Sequence, residues 1–167
     1  RVVHRSAALA AAAGQPYGER FAYTESMRLG GAWNPVPALA VAAGMQSFEV
    51  LGPVAAIRGL LEYFAPAPGE GPSAETIERG FYQLEVVAVG ENGDRLRVTI
   101  ADDRDPGNRA TVQFACESAL ELADLASRAP EALQQIGGGF RTPATAIGDA
   151  LVARLIAGGT RISSEVL

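Results

Sequence analysis

The chain has 167 residues, 48% of them hydrophobic and 20% charged, which is the balance of a folded globular domain with its own core. Its formal net charge of -5 gives no general attraction for nucleic acid phosphates, so that partner class is set aside. All fourteen basic residues are arginine, so no lysine can form a Schiff base or complete a phosphate loop, and one Cys with one His excludes an intrachain disulfide and the usual zinc sites.

In chain order, the Ala- and Leu-rich stretch from Val2 to Ala13 predicts a helix that stops at Gly14, with Pro16 beyond it. Residues Phe21 to Leu29 alternate loosely and predict a strand that ends at Gly30-Gly31. The apolar stretch that follows contains Pro37, Gly44, Glu49, Gly52, Pro53 and Arg58 and falls short of the roughly 20 uninterrupted apolar residues of a membrane span. It predicts two buried packing helices, about 37–48 and 53–64, broken near Gly52-Pro53. The alternative for this stretch is a surface that faces a partner copy or a membrane. Pro66 to Pro72 is a loop by composition, and Ser73 with Thr76 supplies half a capping box for a short turn that ends at Gly80.

A hairpin follows. Phe81 to Val89 and Arg95 to Ala101 are strands, and Asn92-Gly93 between them suits a type I′ turn. Leu96, Val98 and Ile100 point to one face and Arg95, Arg97 and Thr99 to the other, so one face is expected to be buried and the other wet or covered by another domain. Asp102 to Asn108 is a polar loop whose acidic residues lack calcium-loop spacing and read as a solvated turn. A helix runs from about Val112 to Ser127 with Cys116 as a small buried hydrophobe, and Pro130 to Leu133 adds a turn. Gly137-Gly138-Gly139 is irregular backbone, and Thr142-Pro143 caps and opens the last helix, whose apolar stripe is Ile147, Leu151, Leu155 and Ile156. Arg161 to Val166 closes the chain as a strand. Helices interleaved with a hairpin, without βαβ units, predict one α+β domain over 1–167: a largely antiparallel or mixed sheet with helices packed on one face.

No catalytic constellation stands out by chemistry. The Gly-x-Gly-x-x-Gly dinucleotide fingerprint is absent, and Ser118, Ser163 and Ser164 have no triad around them. Tyr23, Tyr63 and Tyr82 are candidate proton donors, and nothing in the sequence selects one.

Several segments, in order, resemble one family. Val2 to Leu9, then Pro68-Gly69-Glu70-Gly71-Pro72-Ser73 with Glu78-Arg79-Gly80-Phe81, then Asp105-Pro106-Gly107 with Ala110-Thr111 and Glu117 to Leu120, then Gly138 to Ala144 with Gly148 to Leu151, are similar to saccharopine-dehydrogenase-like oxidoreductases, in the branch of trans-acting enoyl reductases. Asn108, where an aromatic is expected, and Ala67, where a lysine is expected, depart from the pattern. The resemblance implies a longer parent enzyme with an N-terminal Rossmann domain that binds NAD(P)H, with Arg1 as a cut point. This chain would be the substrate-side or oligomerisation domain, inactive alone and binding no cofactor or metal itself. It implies a lipid-like or small carboxylate substrate, a homo-oligomer such as a dimer, and a cytoplasmic location, with peripheral membrane contact as a variant.

The resemblance also assigns candidate substrate-binding residues: Gly69, Glu70, Gly71, Ser73, Arg79, Asp105, Gly107, Arg141 and Thr142. Each has a plainer reading. Gly69 to Ser73 lines a cleft or is a rigid crossover loop. Asp105 to Gly107 contacts a ligand or is a tight turn. Thr142 presents helix N-terminal amides to an anion or is only a cap. Arg79 and Arg141 clamp a carboxylate or phosphate, or form surface or interdomain ion pairs. The rival reading of the whole chain is a stand-alone binding or homo-oligomerisation module that uses residues 36–64.

Overall fold

The structure is a computed structural model that describes residues 1–28, 35–64, 67 and 69–167. Its described residues form seven α-helices, one π-helical turn and a three-stranded antiparallel sheet, an α+β arrangement. The chain divides into two compact units, residues 1–23 with 73–167, and residues 24–72.

The larger unit contains the sheet, in the order β1 (Tyr82–Val89), β2 (Arg95–Asp102), β3 (Arg161–Val166). The β1–β2 register pairs Leu84 with Ile100 and Val86 with Val98, and β3 sets Ile162 opposite Ile100. The hairpin forms where expected, but by a different turn. A type I′ turn needs positive φ at both central residues, and among the described residues only glycines have it. Gly93 N–H donates to the Gly90 carbonyl and Gly90 N–H to the Asp94 carbonyl, with Gly93 at φ 92°. This is a turn closed by a left-handed glycine, the three-residue hairpin connection. The face expected to be buried is only partly covered: Val98, Ile100 and Ile162 are half-buried, whereas Leu84 is 54% and Val166 81% exposed. Alternation along β2 sorts its side chains by face, and the helices cover the apolar side only in part.

Helices α5 (Thr111–Arg128) and α7 (Pro143–Ala157) form the main helical contact. Glu117, Glu121 and Leu125 recur at helical spacing on the half-buried or buried face of α5, and Cys116 falls off that row. Cys116 is therefore exposed, not a core residue. Across the contact Arg154 of α7 holds Glu117 at 2.7 Å, Asp124 at 2.8 Å and the buried Glu121 at 3.5 Å, and Arg128 pairs with Glu121 from its own helix. Its hydrogen bond to Glu117, foremost, raises the Arg154 pKa above the ordinary guanidinium value. Of the expected α7 stripe, Ile147 and Leu155 are buried, whereas Ile156 is half exposed. The helix kinks at Ile147 (φ -141°, ψ 18°), which turns the following residues away from a straight stripe. α1 (Val2–Ala12) joins α7 through a buried 2.7 Å hydrogen bond between the Ser6 and Thr142 hydroxyls.

Sheet and helices meet at one end of the strands. Asp102, the last residue of β2, is buried, and its carboxylate accepts from the Thr160 hydroxyl at 2.9 Å and from Arg104 at 3.0 Å. Arg104 also donates to Gln113 of α5 and to the carbonyl of Gly158, which caps α7. The Tyr82 ring lies edge-on to Phe114 of α5 at 6.2 Å. Asp102 is thus not part of a solvated acidic turn. Only its neighbour Asp103 is, paired with Arg161 at 2.8 Å. The expected loop to Asn108 becomes a π turn at Pro106–Ala110, capped by the Asp105 side chain.

In the smaller unit, α2 (Val36–Leu51) and α3 (Ala55–Phe64) are joined through Gly52 and Val54, near the predicted break. α2 is not the buried helix that its composition predicts, because none of its residues is buried. Its apolar residues run all round the helix, and a two-helix unit has too little surface to cover them. Residues 21–28 are irregular rather than a strand, and the rest of that expected strand, with Gly30-Gly31, lies outside the described residues.

Asp102→Ala leaves Arg104 and Thr160 without their buried acceptor and should lower unfolding stability by about 2–4 kcal/mol in urea titration, whereas Asp103→Ala should barely move the midpoint. Asp103 is held below the ordinary carboxylate value of about 3.9, first by its hydrogen bond to Arg161 and then by that charge. A depressed folded pKa means that the pair's contribution is complete above the unfolded value and disappears as pH falls through the folded one. An NMR titration of the Asp103 carboxyl should show the low midpoint, and Arg161→Gln should return it to the ordinary range.

Candidate functional site

The nine residues singled out in the sequence fall into three places. Gly69, Glu70 and Gly71 lie in the smaller unit, where Glu70 closes a turn: its N–H donates to the Ala67 carbonyl at 2.8 Å and its carboxylate accepts from the Ala67 N–H at 3.1 Å. This is the geometry of a rigid turn, and it engages one oxygen of the Glu70 carboxylate.

The second place is the junction of α4 (Ala74–Glu78) with the π turn. Ser73 caps α4 by accepting from the Thr76 N–H at 3.2 Å. Arg79 pairs with Glu75 at 3.1 Å, and both are exposed. Asp105 accepts from the Asn108 N–H at 2.6 Å and from its side-chain amide at 3.1 Å. Gly107 sits inside that turn. Gly80 lies so close to Asp105 that a Cβ there would stand 2.5 Å from the Asp105 Cα. The structure thus brings Arg79 and Asp105 to one junction, with their polar atoms already engaged in caps and a surface ion pair.

The third place is the start of α7. The Thr142 hydroxyl is buried against Ser6, and Thr142 and Thr145 cap each other reciprocally, the Thr142 N–H donating to Thr145 Oγ1 at 3.2 Å. These hydroxyls are committed to the cap. Arg141, one residue earlier, is exposed and has no ion-pair partner among the described residues. It stands at a cavity of about 610 Å³ whose wall includes Leu9 and Ala12 of α1, Ala132 and Ile136 of α6 (Pro130–Ile136), and Thr145. Gln135 also borders it, and its amide makes no hydrogen bond among the described residues. Arg5 of α1 donates to the Phe140 carbonyl at 3.3 Å and so fixes the backbone next to Arg141.

A second cavity, of about 370 Å³, lies on another side of Ile136, among α5, α6 and α7. Its polar groups are Glu121 and Arg128, which neutralise each other. Tyr82, one of the candidate proton donors, has a buried hydroxyl beside Thr160. Burial, foremost, and then the Asp102 charge raise its pKa, so it stays protonated inside the sheet end and away from solvent. Among the described residues no group of His, Cys, Asp and Glu could hold a metal.

The α1–α6–α7 cavity was not legible in the sequence. Its wall is built from alanines and aliphatic residues of three helices, a pattern that also describes ordinary packing. The sequence points to Arg141, with Arg79, as an anion clamp and to Thr142 as a helix N-terminus or cap. The structure makes Arg141 a free cation and Thr142 a buried cap.

No family model matches the chain, and no solved structure matches it. Curated proteins do. A trans-acting enoyl reductase of Mycobacterium tuberculosis and one of Mycobacterium bovis are each 38% identical over 177 residues, covering 98% of this chain. One of Mycobacterium ulcerans is 36% identical over 179 residues, covering all of it. The chain spans only 39% of the length of these relatives. This chain is a homologue, along nearly its whole length, of one part of proteins named trans-acting enoyl reductases.

Proposed function

We propose that this chain is the substrate-side portion of an NAD(P)-dependent oxidoreductase of the saccharopine-dehydrogenase-like family, in its trans-acting enoyl reductase branch. The full parent would reduce an enoyl or keto group of a lipid-like or small carboxylate substrate. The observation that carries this reading is the alignment of the whole chain, at 36–38% identity, with part of proteins bearing that name.

The residues of the chain itself do not fit a dinucleotide. It has no Gly-x-Gly-x-x-Gly, and its described strands form one antiparallel sheet, whereas the dinucleotide crevice lies at the carboxyl ends of parallel strands. The cofactor site therefore belongs, in this proposal, to another part of the parent. The part played here is binding and shielding: apolar walls that exclude water from the reacting group, which hydride transfer requires. The partly open apolar sheet face and the exposed α2 are surfaces that such a parent, or a second copy of it, would cover. A cytoplasmic location goes with this reading.

A second reading, a binding or homo-oligomerisation module, is favoured by one observation. In α2, Val36, Leu39, Met45 and Phe48 are each more than 60% exposed. Among the described residues no helix is long and apolar enough to cross a membrane.

The reductase reading is tested by NADPH fluorescence titration of the 167-residue chain and of the longer product of its reading frame. Saturable binding and enoyl-thioester-dependent NADPH oxidation are expected for the longer protein, with neither for the chain alone. NADPH turnover by the chain alone would overturn the division of labour. For the second reading, light scattering of the chain should give a dimer or larger mass that falls to the monomer when Phe48 and Met45 are changed to Ser. A monomer at the start removes the homo-oligomerisation form of this reading.

A further inference from the structure

We infer that the α1–α6–α7 cavity is a binding site for an anionic amphiphile: a carboxylate or phosphate monoester on a short apolar chain, its head group held by Arg141. This inference rests on the cavity alone and does not depend on the reductase reading.

The polar end comes first. Several described arginines with an exposed head have an acid beside them, such as Arg79 with Glu75 and Arg161 with Asp103. Arg141 has none among the described residues, and no acidic residue borders its cavity. Its guanidinium offers a fork of N–H donors suited to two oxygens of one anion. Gln135 adds an amide that is free to donate to the same group.

Position is fixed by the backbone beneath it. Gly137 has φ 74°, and a Cβ there would lie 3.1 Å from Arg141 Nη2, so the guanidinium lies against a residue that only glycine fits well. The Arg5 hydrogen bond to Phe140 holds the same loop from the α1 side.

The apolar end is the wall. Leu9, Ala12, Ala132 and Ile136 present only hydrocarbon, and the hydroxyl of Thr145 is occupied by the cap. A volume of about 610 Å³ falls within the range of small-molecule sites, roughly 300–1,000 Å³. One cation without an ion-pair partner among the described residues, at a cavity whose other walls carry hydrocarbon side chains, fits a ligand with one charge and one hydrocarbon tail. A free inorganic anion would leave the wall unused, and a neutral lipid would leave the arginine unpaired. The neighbouring cavity provides the contrast, because there Arg128 is already neutralised by Glu121.

The test is isothermal titration of the 167-residue chain with octanoate, octyl phosphate and the neutral octanamide, with amide shifts followed by NMR. One-to-one binding of octanoate or octyl phosphate is expected, with shifts at Ala12, Ala132 and Arg141, and the tighter of the two identifies the head group. Arg141→Gln should weaken it by about tenfold or more, the size of one charge-assisted pair. Ala132→Phe should remove binding by filling the cavity, while Arg161→Gln, remote in its pairing, should leave it unchanged. Octanamide should bind at least about tenfold more weakly. Absence of saturable binding by both anions, equal binding by Arg141→Gln, or equal loss in Arg161→Gln would overturn the inference.

Discussion

Arg104 carries more of the architecture than any other described side chain. It reaches the buried Asp102 at the end of β2, Gln113 on α5 and the Gly158 carbonyl at the end of α7. Asp102 also accepts from Thr160, which leads into β3. A buried carboxylate is costly unless paired and hydrogen-bonded, and here Arg104 pairs with it and Thr160 donates to it. The geometry ties the order of the sheet to the placement of the helices. If the carboxylate is lost, a half-buried guanidinium and a buried hydroxyl lose their shared partner at once.

From that joint outward, the larger unit is held by charge as much as by hydrocarbon. Few apolar side chains are fully buried in it, and the α5–α7 contact is laced by Arg154 with three acids. The apolar surface remains on the outside, on one sheet face and around α2. A substrate-side role would use these surfaces as interfaces and walls.

The three groups of expected site residues differ in what they have left to offer a ligand. Caps and turns absorb Ser73, Asp105, Thr142 and one oxygen of Glu70, and Glu75 neutralises Arg79. A polar atom already satisfied gains little by exchanging one partner for another. Arg141 and Gln135 keep unused donors beside hydrocarbon side chains from three helices.

The sequence by itself determined the local elements. Asn92-Gly93 marked the hairpin, Thr142-Pro143 the start of the last helix, Gly52-Pro53 the break in the apolar stretch, and Gly14 the end of the first helix. Each is set by the backbone preferences of a few adjacent residues. It also carried the resemblance to trans-acting enoyl reductases. Tertiary structure alone decided burial and pairing. Asp102 and Asp103 are adjacent acids, yet one is buried beneath Thr160 and the other faces solvent, because the end of the strand points them in opposite directions. Cys116 and the α2 residues look like core by composition and are exposed, because burial depends on what lies opposite and not on hydrophobicity. Arg141 is free and Arg79 is paired for the same reason: an arginine's partner is chosen by the neighbours that folding brings to it, here Glu75 one helical turn away for Arg79, and for Arg141 an apolar wall from three helices.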